Sequence, residues 1–451
     1  MAATGSLGEG PASERALLDR TVTVRSAVMV PALLVAWHWL FSAFRLYSSR
    51  RLSAFRAEAL DVTLAAAAAT AAAAAAAWAF SMPGATPASA AVFLATSVAV
   101  LLASRVALRL ALRYARLQGR NLRHVVIVGT NATARQYAAF LRRRPELGYV
   151  VAGFVDHPGA AASLERGDRL VCDFERFPEY LRSQVVDEAV IFVPVKSFYA
   201  QITRIVATCE TQGVVARLRS DLVDPSLGDL SFEEAPGISL PLVSVYTGRM
   251  RGWRMAVKRL VDVVGAVAII VLALPVMAGA ALAIRVTAGG PVLFVQERLG
   301  LGKRRFRLYK FRTMVPGAER LQAGLASRNE ASGPVFKIRD DPRATPVGRF
   351  LRRTSIDELP QLLNVLRGDM SLVGPRPLPV RDYEGFSEDA HRRRFSVRPG
   401  LTCLWQVSGR NGVPFDRWME LDMRYIDTWS LWLDLVILAK TVPAVLRATG
   451  A

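Results

Sequence analysis

Two adjacent carboxylates, Asp357 and Glu358, stand in the run Arg352-Arg353-Thr354-Ser355-Ile356-Asp357-Glu358-Leu359-Pro360-Gln361, with Gly374-Pro375-Arg376-Pro377 downstream. Leu359, Leu362, Leu363 and Leu366 recur at helical spacing, so Asp357 to Arg367 is expected as an amphipathic helix that stops at Gly368. Pro360 has no backbone donor and belongs in a first helical turn, which places Asp357 rather than Ser355 at the N-cap. On spacing alone the acidic pair reads as a cap that favours the helix dipole. The same position also suits phosphate chemistry. A helix N-terminus stabilises anions, and Arg352 and Arg376 would neutralise phosphoryl oxygens that otherwise repel a carboxylate. The prolines beside Arg376 make its turn rigid. Asp357 would then be a covalent nucleophile for a phosphoryl group, and Glu358 would hold a magnesium ion. Cap and nucleophile both stay open at this point.

Whatever positions this pair has to work in a basic, apolar chain. Its 451 residues are 52% hydrophobic and carry a net charge of +20. The charge implies polyanionic partners, and because the basic residues gather beside apolar runs, membrane and phosphate are expected rather than nucleic acid. Cys172, Cys209 and Cys403 lie far apart and the four histidines are scattered, so neither a disulfide framework nor a zinc site is expected.

Three regions are expected: 1–120, 121–250 and 251–451. Residues 1–24 read as a loose polar tail without a signal peptide's basic start. Apolar segments follow near 26–44, 60–80 and 90–112 and are expected as membrane helices; the second is long enough to span a bilayer, although its alanine run 65–77 also fits a buried soluble helix. Arg45, Arg50, Arg51 and Arg56, and later Arg105 to Arg123, place the 45–59 loop and everything after 113 in the cytoplasm. In the second region Val125 to Gly129, Tyr149 to Asp156 and Ala189 to Val193 read as strands and Ala132 to Arg144 as a helix, an open parallel sheet of Rossmann type. Asn131 and Ala134 stand where a dinucleotide fingerprint needs glycines, so a folded spacer is expected over a cofactor site. In the third region Val261 to Ile284 is apolar apart from Asp262, yet both flanks are basic. A helix broken at Pro275 that enters and leaves the membrane on one face satisfies both flanks; a kinked span is the alternative. Phe294 to Phe311 reads as a cationic β-hairpin. Leu435 to Leu446, after Trp429 and Trp432, fits an interfacial anchor or a core helix.

The motifs Lys310-Phe311-Arg312-Thr313-Met314, Thr354 to Leu366, Gly374-Pro375-Arg376-Pro377 and Arg398-Pro399-Gly400-Leu401-Thr402 resemble the bacterial sugar transferase family over about residues 251–451. These are phosphoglycosyl transferases with one re-entrant helix, and the preceding residues resemble its large members. The resemblance implies an α/β membrane protein: transmembrane helices, a Rossmann-like domain, and a mainly helical α+β catalytic domain. It implies that Asp357 attacks the β-phosphate of a UDP-sugar, releasing UMP, and that undecaprenyl phosphate collects the sugar phosphate, glucose or galactose being the expected sugars. Glu358 would bind Mg2+, Arg352 and Arg376 would hold phosphates, and Lys310 and Arg312 would assist. The product would start a polysaccharide repeat unit at the bacterial inner membrane; self-association into a homo-oligomer is left open. Three departures stand out: Leu274 replaces a serine before the helix-breaking proline, Cys403 replaces a glycine, and three N-terminal helices are counted where large members carry four. A non-catalytic scaffold of polysaccharide assembly is the rival class. A nucleotide-sugar dehydratase or epimerase would need a glycine loop and a Tyr-x-x-x-Lys pair that 121–250 lacks.

Overall fold

The computed structural model describes residues 24–446 apart from 45, 48–50, 52–54, 80–85, 165–166, 220–230, 235–240, 246–252, 289, 331, 337, 339, 387 and 410–412. The expected tail thus lies outside the described residues but for Val24. The chain forms two compact units, 1–49 with 53–111 and 50–52 with 112–451.

The first unit holds α1 (Val24–Ala43), α2 (Phe55–Ala79) and most of α3 (Pro87–Leu117). Of these, α2 and α3 are long and apolar enough to cross a membrane. Alanine makes α2 thin, and Ala65 and Ala69 are fully buried with Val62. The buried Glu58 at the start of α2 is met by Arg109 Nε at 2.9 Å and Arg105 at 3.3 Å from the distal half of α3. A carboxylate among apolar helices needs such partners. The pairing sets the two helices antiparallel.

The second unit begins with a seven-stranded sheet. Strands β1 (Arg123–Val128), β2 (Tyr149–Val155), β3 (Leu170–Cys172), β4 (Glu188–Ile191) and β5 (Val215–Arg219) are parallel, and β6 (Ser231–Glu234) and β7 (Pro241–Val245) add an antiparallel edge. The order is β3-β2-β1-β4-β5-β7-β6, whose parallel part is that of a Rossmann half. Helices α4 (Ala132–Arg142), α5 (Phe177–Ser183) and α6 (Val195–Gln212) connect the strands. The apolar run Val125 to Val128 of β1 is buried on both faces, as a central parallel strand must be. After Gly129, Asn131 caps α4 through the Ala134 N–H at 2.9 Å and donates to the Phe192 carbonyl at 2.7 Å. Its side chain therefore uses a helix-terminal donor that a bound phosphate would take.

Next comes α7 (Trp253–Ala288), 36 residues long and apolar enough to cross a membrane. The helix runs through Pro275 without ending there, which corrects the break expected at that proline. Both of its arms pack on the same domain. On one arm Lys258 Nζ meets Asp434 at 2.6 Å and the Val373 carbonyl at 2.9 Å, and Asp262 accepts from Ser371 Oγ and the Leu372 N–H at 2.9 Å each. On the other, Ala280 and Ile284 join a core with Phe311 and Leu351. Between them Val271, Leu272 and Leu274 are exposed.

The remaining domain opens with the antiparallel hairpin β8 (Leu293–Leu299) and β9 (Arg305–Phe311). It continues with α8 (Pro346–Arg353), a 3-10 turn Ile356–Gln361, α9 (Leu362–Arg367), β10 (Ser371–Val373), β11 (Leu378–Pro379) and α10 (Val380–Glu384). A 3-10 segment Asp389–Ser396, β12 (Gly400–Thr402), α11 (Leu404–Val407), α12 (Phe415–Thr428) and α13 (Leu431–Leu446) complete it. The two tryptophans at the start of α13 divide the roles expected of them: Trp429, just before it, is 1% exposed and lies in the core, whereas Trp432, in its first turn, is 72% exposed.

Candidate active site

The acidic pair does not cap a continuous helix. Helix α8 ends where Ser355 takes the left-handed conformation, φ 60° and ψ 14°, a turn that glycine usually makes. The chain then tightens into the 3-10 turn Ile356–Gln361, with Ser355 rather than Asp357 preceding it. This corrects the expected helix start. Because the α-helix proper begins only at Leu362, the donor that Pro360 lacks falls in the tight turn, where one missing bond is tolerated. Gly368, φ +90°, ends α9 as expected.

Asp357 is 7% exposed, and its carboxylate accepts no hydrogen bond among the described residues. Burial pushes its pKa up to about 6, with Glu358 adding to this and Lys310, Arg352 and Arg376 opposing it. Glu358 behaves in the opposite way. Burial disfavours its charge, but Arg376 and Lys310 overcome that and hold it well below the usual carboxylate range. Lys310 Nζ lies 2.8 Å and Arg376 Nη2 2.6 Å from the same oxygen, Oε1.

Three elements deliver these groups. Lys310 comes from β9, whose open edge is satisfied by a side chain: the fully buried Asn364 donates to the Arg307 carbonyl at 2.7 Å and accepts from the Tyr309 N–H at 3.1 Å. Arg376 sits beyond β10 where two backbones touch. A Cβ on Gly400 would collide with the Gly374 nitrogen, so glycine is required there. The Gly400 N–H bonds the Pro375 carbonyl at 2.9 Å, and Arg394 Nη2 bonds the Arg376 carbonyl at 2.7 Å. Arg352 rides the last turn of α8, where a cation suits the helix dipole.

Asp357, Glu358, Lys310, Arg312, Arg352 and Arg376 all line one cavity of about 1050 Å3. Arg312 lies at its rim, with Nε bonded to the Pro291 carbonyl at 2.9 Å. Pro275 is not part of the lining, whereas Val261, Gly265 and Ile269 of α7 and Leu438 and Val442 of α13 form an apolar wall. Sequence reasoning passed over Arg298, Asp341, Arg343 and Trp405, which line it too. Burial and the neighbouring Arg376 push Arg298 down to about 10, and Arg343 grips Asp341 through Nε at 2.8 Å and Nη2 at 2.6 Å. Neither carries a periodic or motif signal in so basic a chain. Cys403 fits without a glycine's freedom, its φ of −149° being ordinary extended backbone, and its thiol lies 3.0 Å from Gln406 Oε1.

Residues 253–448 match the bacterial sugar transferase family and residues 42–219 a CoA-binding domain. The chain is 34% identical over 338 residues to the UDP-galactose-lipid carrier transferase of Erwinia amylovora, covering 72% of this chain and 69% of that protein. It belongs to the bacterial sugar transferase family. It is also 32% identical over 343 residues to the UDP-glucose:undecaprenyl-phosphate glucose-1-phosphate transferase of Escherichia coli (strain K12), covering 73% of this chain and 69% of the relative. With the galactosyl transferase CpsE of Streptococcus agalactiae serotype III (strain NEM316), identity is 40% over 272 residues, 59% of each chain. The chain thus spans less than two thirds of that relative's length. The family match begins at the first residue of α7, so it includes the apolar helix as well as the cavity.

Proposed function

We propose that this protein transfers a sugar 1-phosphate, of glucose or galactose, from a UDP-sugar to undecaprenyl phosphate. The observation that carries this reading is Asp357: a buried carboxylate without a hydrogen-bond partner among the described residues, at a cavity ringed by Lys310, Arg312, Arg352 and Arg376. A capping or docking carboxylate would be bonded; a nucleophile is best left free. Asp357 attacks the β-phosphorus of the donor, the bond from that phosphorus to the bridging oxygen breaks, and UMP leaves. A phosphate oxygen of the lipid then attacks the same phosphorus, and Asp357 departs with its original charge. Arg352 and Arg376 offset the phosphoryl charge that would repel the carboxylate. Glu358, ionised by its two cations, keeps Lys310 and Arg376 at hand.

The donor set is compatible with Mg2+, since this ion takes one or two protein carboxylates and fills its shell with phosphate oxygens and water. Both cations on Glu358 use Oε1, so Oε2 is the oxygen that would hold it. The metal would spread charge on the diphosphate when bound. The apolar wall from α7 and α13 suits a lipid acceptor. Packing of both α7 arms on one domain supports a re-entrant helix with its flanks on one membrane face. Basic flanks favour the cytoplasmic face, in a multi-pass protein of the bacterial inner membrane.

The test uses membrane-bound protein, radiolabelled UDP-glucose or UDP-galactose, and magnesium. UMP release with label retained on the protein is expected, and both vanish in Asp357→Asn. Release of UDP instead would indicate direct glycosyl transfer and sink the mechanism.

A further inference from the structure

Two clasps join the Rossmann-like sheet to the domain that bears the cavity. The first is the turn of the β8–β9 hairpin. Gly302 and Lys303 both take left-handed backbone, φ +60° and +62°, which seats the buried Lys303 ammonium on the Leu181 carbonyl at the end of α5. Arg304 grips Asp187 with Nη1 at 2.8 Å and Nη2 at 2.7 Å, and Nη2 reaches the Leu122 carbonyl at 3.1 Å. A Cβ on residue 302 would stand 2.7 Å from Arg304 Nη1 and 3.3 Å from Asp187 Oδ1, so this approach depends on glycine. The second clasp is the 3-10 segment Asp389–Ser396 and its neighbour Tyr383. Asp389 accepts from Arg182 Nε at 2.7 Å and Nη2 at 2.6 Å, and Tyr383 donates to the Arg182 carbonyl at 2.6 Å. Gly213, ending α6, comes so close that a Cβ there would lie 2.6 Å from Ser396 Cβ.

Each clasp lies on an element that leads to Glu358, one directly and one through Arg376. Strand β9 runs from Arg305, next to the first clasp, to Lys310, which meets Glu358 Oε1. The segment Asp389–Ser396 carries Arg394, whose bond to the Arg376 carbonyl fixes the residue that meets the same oxygen from the other side. Glu358 attracts both cations, and the place from which each meets Oε1 depends on how its own backbone is held. The hairpin and the 3-10 segment supply that hold, and both rest on the same Rossmann-like domain.

We propose that the Rossmann-like domain is a template that sets the spacing of Lys310 and Arg376, with Asp187, Arg304, Arg182 and Asp389 as positioning residues for sugar-phosphate transfer. The inference rests on the function proposed above. Its test uses the full-length membrane-bound protein carrying Asp187→Arg, Arg304→Asp, or both, and a parallel set with Arg182→Asp and Asp389→Arg. Single-turnover labelling by UDP-sugar gives a rate constant and a half-saturating donor concentration, and thermal melting gives the folded fraction. Each single reversal is expected to lower the rate constant about tenfold, with the half-saturating concentration within about twofold and the folded fraction unchanged. Each exchanged pair is expected to recover the rate. Singles with the wild-type rate constant, losses confined to donor affinity or proportional to unfolding, or pairs that fail to recover overturn the proposal. Retention of label by Asp357→Asn would instead defeat the underlying function, so the two failures are separate.

Discussion

Burial raises Asp357 to about 6 while Lys310 and Arg376 keep its neighbour Glu358 charged. A nucleophile must be ionised, so protonation below that value removes it. Labelling of the protein by UDP-sugar without lipid acceptor should therefore fall about tenfold per pH unit below about 6. The diphosphate donor does not titrate there, but Asp422, raised by burial to the same range, does. Lys310 lowers the Asp357 pKa, so Lys310→Met should move the limb upward, whereas Asp422→Asn should leave it in place. A limb that follows Asp422 would contradict the assignment. The same shift has a stability sign: the folded state binds this proton more tightly than the unfolded chain, so stability from this group falls as pH rises between about 4 and 6. At this scale the sequence was informative about Asp357, Glu358 and their cations, because they stand in the motifs that carry the family resemblance. Ser355 was not legible, since nothing marks a serine for left-handed backbone except the helix end it must turn.

Among the elements, β9 shows how local preference and packing divide the work. Alternation and a glycine turn foretell the hairpin, but its outer edge would be an open row of donors and acceptors. Asn364 closes that edge from α9. Asn364→Ala should strand the Arg307 carbonyl and the Tyr309 N–H and cost about 2–4 kcal/mol of stability by denaturant titration. Because Tyr309 adjoins Lys310, labelling activity should fall as well. An Asn364→Ala protein as stable as the wild type would show that water replaces the amide. The segment before α9 departs from the expected α-helix because a 3-10 turn accommodates the donor that Pro360 lacks.

For the whole molecule, the proposed membrane attachment of the cavity rests on α7, which is long and apolar enough to cross a bilayer. A straight span would separate its ends, yet Lys258 and Asp262 on one arm and Ile284 on the other pack on one domain. Arg254→Cys and Arg285→Cys, each in a protein freed of Cys172, Cys209 and Cys403, should react with an impermeant thiol reagent from the same face of sealed vesicles. Labelling from opposite faces would make α7 a simple span and defeat the re-entrant arrangement.

By itself the sequence determined the membrane-type helices, the Rossmann-like strands, the hairpin and the place of the acidic pair among its basic neighbours, because each is written in local periodicity, charge or motif. Only the tertiary structure decided which carboxylate is free and which is held. That choice depends on Lys310 and Arg376 meeting one oxygen of Glu358, and the residues that bring them there, Gly400, Arg394 and the clasps around Asp187 and Asp389, lie far from Glu358 in sequence. Close approach of backbones and convergence of like charges leave no periodic trace, so no reading of spacing alone finds them.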